Sequence, residues 1–147
     1  MSDTRGPADL YRHSLRLLLD KDIDGWTALV DDDTLFEFPY APAGFPSKLE
    51  GREAVAAYMR GYPESIDLRE VMGLEIHELR DPDTVIAEWR GVGRIVATGA
   101  PYEMPYVAVV TVKRGRITRY RDYWNPLAIM GPPSDDAFAD VTFFDAS

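Results

Sequence analysis

Four long strand-like segments follow one another between residues 68 and 124, and they constrain the fold more than any other feature. They span about 68–79, 84–97, 102–113 and 116–124, the last three rich in β-branched and aromatic residues. Asp81-Pro82-Asp83, Thr98-Gly99-Ala100-Pro101 and the tight Arg114-Gly115 supply the turns, so the run reads as an antiparallel meander. Ahead of it stand only three helical patterns, too few to cover both faces of such a sheet. The solution is an α+β domain in which a strongly curved, mainly antiparallel sheet wraps over three N-terminal helices. The resulting cone encloses a pocket. Its outer face is then available to a second subunit, and a homodimer is expected.

The N-terminal half fits that reading. Leu10, Tyr11, Leu15, Leu18 and Leu19 recur at helical spacing over 8–19. A second helix is expected from an Asp22 or Asp24 cap to about Val30. "TLFEFPY" alternates as a first strand, and "PYAPAGFPSKLEG" reads as a Pro/Gly-rich loop. "GREAVAAYMRGY" is a third helix with a stripe of Val55, Tyr58 and Met59, ended by Gly61 and Pro63. Residues 1–7 and about 131–147 read as tails of one domain, the second carrying an apolar "VTFF" patch.

Composition narrows the function classes. A net charge of −9 disfavours sequence-independent nucleic-acid binding and docking on anionic membranes. With no cysteine there is no disulfide, thiol nucleophile or thiolate metal site. No apolar run approaches the roughly 20 residues that span a bilayer, and "MSDTRGPADLYRH" lacks a signal-peptide core, so a cytoplasmic location is expected. Only two histidines are present, and no metal site is expected. No nucleotide-binding, Ser-His-Asp or His-Glu-x-x-His pattern occurs. The partner expected is a neutral or cationic small molecule, handled without a cofactor.

Three motifs, "DDDTLFEFPY", "LEGREAVAAYM" and "RGRITRYRDYWNPLAIM", lie in the same order as in a known superfamily. Over about residues 8–130 the chain resembles the nuclear transport factor two-like proteins. Within them it looks like the SnoaL-type cyclase, ketosteroid isomerase and phenazine-biosynthesis A/B branch. The resemblance implies an isomerase, cyclase or lyase that moves protons on a carbonyl-containing, polyketide- or steroid-like intermediate of secondary metabolism. The superfold hosts many reactions, so the residues must decide among them.

Asp122 is the leading catalytic candidate. Strand alternation puts Thr118, Tyr120, Asp122 and Trp124 on one face and Arg119, Arg121 and Tyr123 on the other. An acid among aromatic rings has its charged form disfavoured, which raises its pKa toward a range useful for proton transfer. The family's Arg-acid-aromatic-x-Asn pattern matches Arg121-Asp122-Tyr123-Trp124-Asn125. The plain alternative is an acid bonded to a neighbouring Tyr or Trp. Glu37 is the second candidate, because the resemblance implies a base three residues after Thr34, in a register uncertain by one residue. His77 is the third, on the first long strand. The histidine that the phenazine branch carries near its third helix is replaced here by Tyr58 and Tyr62, which counts against imine condensation.

Tyr11, Tyr40, Tyr58, Trp89, Tyr102, Met104, Tyr106, Tyr120 and Trp124 are candidate substrate-binding residues. Packing explains any one of them. Together they suggest a roomy amphipathic pocket, in which one tyrosine could donate to a developing enolate oxygen. Tyr11 lies in the region where ketosteroid isomerases keep such a tyrosine. Glu88, Arg90, Arg119 and Arg121 are expected outside, and Gly91-Val92-Gly93 reads as a bulge. Two rival readings stand beside the isomerase: an epoxide hydrolase, which needs Arg90 turned inward, and a binding domain without chemistry.

Overall fold

The computed structural model describes residues 6–130. The chain runs α1 (Pro7–Leu19), α2 (Ile23–Thr27), β1 (Val30–Glu37), β2 (Lys48–Glu50), α3 (Arg52–Arg60) and α4 (Tyr62–Ser65). It continues through β3 (Ile66–Glu78), β4 (Thr84–Ile95), β5 (Pro101–Lys113), β6 (Arg116–Trp124) and α5 (Leu127–Met130). Residues 1–5 and 131–147, with the "VTFF" patch, lie outside the described residues. Gly6 and Pro7 belong to the start of α1 rather than to a leader.

One six-stranded sheet holds the strands in the order β2-β1-β6-β5-β4-β3. Every neighbouring pair is antiparallel except β1 and β6, which run parallel. Among the described residues β2 and β3 are the two edges, and the sheet is unclosed. This is the expected α+β architecture, with one strand more than the sequence suggested. β2 hides in the Pro/Gly-rich loop, and three residues are too few to show a period.

Extra residues on one strand of a pair bend a sheet. β3 carries two: its register against β4 shifts between Leu68 and Glu70 and again between Met72 and Glu75. Gly73, in the second shift, has a φ of +64°, a conformation that costs glycine nothing. The bulges therefore sit on β3, whereas Gly91-Val92-Gly93 had placed one on β4. Gly93 has a different job. A Cβ there would lie 1.9 Å from the Asp67 carbonyl oxygen, so only glycine lets β4 approach the first bulge.

The helices line the concave side. α1 buries Leu10, Tyr11, Ser14 and Leu15, and α3 buries Val55, Ala56 and Met59. α2 is capped by Asp22, whose carboxylate accepts from the Gly25 N–H, and it ends before Val30, where β1 begins. The "LEGRE" segment fastens α3 to β1. The Gly51 N–H donates to the Thr34 carbonyl, and Arg52 donates to the Val30 carbonyl through Nε and Nη2. Arg52 also pairs with Asp32 at 2.7 Å. The facing strands contribute Ala87, Trp89, Met104, Ala108, Val110 and Ile117 to the same core. No described helix is long and apolar enough to cross a membrane.

Candidate active site

A cavity of about 360 Å³ opens between the helices and the concave face of the sheet. β6 supplies Tyr120, Asp122 and Trp124, β5 supplies Tyr102, Met104 and Tyr106, and β4 supplies Trp89. From the opposite side come Tyr58 and Met59 of α3 and Tyr62 of α4. Inward alternation on β6 holds from Tyr120 to Trp124 and fails below it. A register shift against β5 turns Ile117 inward, and Thr118 sides with Arg119 and Arg121 on the outer face.

Among the described residues, Asp122 is the ionisable carboxyl of this lining, and no Lys, Arg or His joins it. Its Oδ1 is sealed from solvent and has no hydrogen-bond partner among the described residues. Burial pushes its pKa from the ordinary 3.8 up to about 7. Near neutral pH both forms are then populated, so the group can take a proton or give one.

Phenols surround it in two sets. In one, the Trp89 indole donates to the Tyr11 hydroxyl at 2.7 Å, and Tyr11 and Tyr120 share a hydrogen bond at 3.0 Å. In the other, the Tyr102 and Tyr106 hydroxyls share a hydrogen bond, with the Tyr62 hydroxyl nearby. Burial holds all these phenols above their usual pKa, Tyr62 at about 12, and the charge of Asp122 adds to the effect. They therefore stay protonated at neutral pH and act as hydrogen-bond donors.

Eight of the expected residues meet here: Asp122, Tyr58, Trp89, Tyr102, Met104, Tyr106, Tyr120 and Trp124. Four do not. Glu37 faces outward and pairs with Arg119 at 2.8 Å, because the β1 alternation buries Phe36 and Phe38. His77 is exposed on the outer face, 2.6 Å from Glu88, while its neighbour Ile76 packs against the core. Tyr40 lies past the end of β1, 61% exposed, edge-on to Tyr123. Tyr11 is fully buried behind the wall rather than in it. Arg90 points outward and pairs with Glu103, so the lining offers no arginine among the described residues for an epoxide-opening relay.

Sequence reasoning missed several lining residues. Phe45 reaches in from the loop before β2 and meets Trp124 edge to face, and a Pro/Gly-rich loop gives no periodic sign of that. Phe36, Phe38 and Trp26 also line the cavity, and the β1 alternation could have found the first two. Tyr62 follows the glycine that ends α3; it was noted only as standing, with Tyr58, where the phenazine branch carries its histidine, and not as a lining residue.

Comparison with known proteins agrees with this architecture. The SnoaL-like domain family model matches residues 11–120. An uncharacterised PhzA/B-like protein of Pseudomonas aeruginosa is 41% identical over 119 residues, covering 81% of this chain and 84% of the relative. A Bacillus subtilis crystal structure, provisionally designated an isomerase, superposes with a TM-score of 0.80. It is 41% identical and covers 83% of this chain and 88% of that one. The Mycobacterium tuberculosis protein RV0760c, crystallised with estradiol-17β-hemisuccinate, superposes with a TM-score of 0.71. It is 27% identical and covers 83% and 96% of the two chains. This chain belongs to the SnoaL-like domain family of the nuclear transport factor two-like superfamily.

Proposed function

We propose that the protein is a cofactor-independent enzyme of the isomerase, cyclase or lyase type. It would move a proton beside the carbonyl of a small, mainly apolar and ring-containing substrate. The observation that carries this reading is Asp122: a carboxyl with no partner among the described residues, in an aromatic cavity and poised to ionise near neutrality. Its carboxylate would remove a proton from carbon next to the carbonyl, and its acid form would return that proton to another position. The phenols would stabilise the enolate oxygen formed in between. The estradiol ester held by the relative RV0760c supports a ring-containing ligand of about this size.

Exchange of α-protons for solvent deuterium in a panel of cyclic ketones and steroid enones tests the reading. As the base is the ionised form, exchange should rise with pH through about 7 and then level off. Asp122→Asn should lower it by about 10²- to 10⁴-fold. Binding without exchange across the panel would instead leave a ligand-binding domain.

A further inference from the structure

Of the tyrosines around the cavity, one can be given a hydrogen-bond direction from its partners alone. An indole N–H donates and never accepts. Trp89 Nε1 lies 2.7 Å from the Tyr11 hydroxyl, so Tyr11 is the acceptor in that bond. The proton of Tyr11 then needs an acceptor of its own. Among the described residues the oxygen in reach is the Tyr120 hydroxyl at 3.0 Å. Reversing that bond would strand the Tyr11 proton at a residue only 1% exposed, and a buried donor without a partner is unfavourable. The chain therefore runs one way, from Trp89 to Tyr11 to Tyr120.

At its end the Tyr120 proton has no acceptor among the described residues, and Tyr120 lines the cavity two positions from Asp122. Its ring is held in place, stacked on Phe36 at 4.8 Å with the planes 8° apart. Donors aligned in series polarise one another, which strengthens the last of them. Among the described residues the Tyr102–Tyr106 pair has no donor-only anchor, so the two hydroxyls can exchange donor and acceptor roles. Among the described residues the lining also has no cation, and Asp122 would repel a ligand carboxylate.

We infer that Tyr120 is the donor that fixes the substrate's oxygen beside Asp122, that Trp89 and Tyr11 position it, and that the oxygen it selects is an uncharged carbonyl. The inference rests on the proposed proton-transfer site and moves the donor role from Tyr11 on α1 to β6.

The test is the infrared carbonyl stretch of bound 2-acetylnaphthalene, carbon-13 labelled at the carbonyl, which reads the hydrogen bond without turnover. In the unaltered protein the band should fall below its position in an aprotic solvent. Tyr120→Phe should return it to that position and weaken binding by about 2- to 12-fold, the loss expected for one hydrogen bond. Tyr11→Phe and Trp89→Phe, which keep an aromatic ring, should each move the band part of the way back. A merely structural role would leave the band where it is. Asp122→Asn should lower proton exchange by about 10²- to 10⁴-fold and keep the band low, so failure of the acid–base reading is seen separately. A band unmoved by Tyr120→Phe, or 2-naphthoate bound more tightly than the ketone at pH 8, overturns the inference. So does a ketone that fails to bind, or that binds with an unshifted band.

Discussion

Arg119 reaches across the parallel β1–β6 pairing to hold Glu37 by two contacts, Nη2 at 2.8 Å and Nε at 2.9 Å. The pair lies on the outer face, and it turns Glu37 away from the cavity. Phe36 and Phe38 take the inward positions on either side, so no small shift of the side chain brings the acid back.

Glu37 and His77 should therefore be dispensable for chemistry. Glu37→Gln and His77→Ala are each expected to leave ketone exchange within about 2-fold, since neither contacts the cavity. Both sit in solvent-facing pairs, so stability should change by no more than about 1 kcal/mol. A loss of 100-fold in exchange would restore either residue to the site.

Asp122 should make the protein less stable as pH rises. The unfolded chain releases this proton near 3.8 and the folded chain near 7. Between those values the folded state alone binds the proton, so stability falls as pH climbs from about 4 to about 7 and is flat beyond. The full difference corresponds to about 4 kcal/mol. Asp122→Asn, uncharged throughout, should match the original near pH 4 and exceed its stability at pH 8. Urea denaturation at the two pH values checks this, and an equal effect at both would contradict it.

Gly93→Ala should be strongly destabilising for a reason no contact list on β4 would reveal. The added methyl meets backbone at Asp67 and Leu68, and neither atom can move without parting β3 from β4. A cost of about 2–4 kcal/mol is expected, at the severe end for one added methyl. Gly61→Ala is the contrast: its Cβ would rest 3.6 Å from the Tyr58 carbonyl oxygen, an ordinary contact at a negative φ. That change should be neutral or mildly stabilising. Thermal unfolding of the two variants reads the difference.

The legible parts were those with a period. Alternation on β5 and β6 placed Tyr102, Met104, Tyr106, Tyr120, Asp122 and Trp124 together because a sheet with one buried face leaves no other register. The same rule applied to β1 would have excluded Glu37, since Phe36 and Phe38 claim the inner face. Spacing taken from the family resemblance pulled the other way. Tyr11 shares the buried stripe of α1, but its position on the helix decides whether it meets cavity or strand, and the stripe alone does not say which. Curvature was expected from the glycines of β4, whereas the extra residues lie on β3, where polar, exposed positions hide the slip. Phe45 and β2 were invisible because a short, Pro-rich connection has no period to read.

The most direct measurement is the carboxyl carbon-13 chemical shift of Asp122 followed from pH 3 to pH 9, assigned with Asp122→Asn. The account predicts a midpoint near 7, the signature of an unpaired acid desolvated by aromatic walls. A midpoint at or below the ordinary 3.8 would mean a solvated or paired carboxylate, and would contradict Asp122 as the proton carrier.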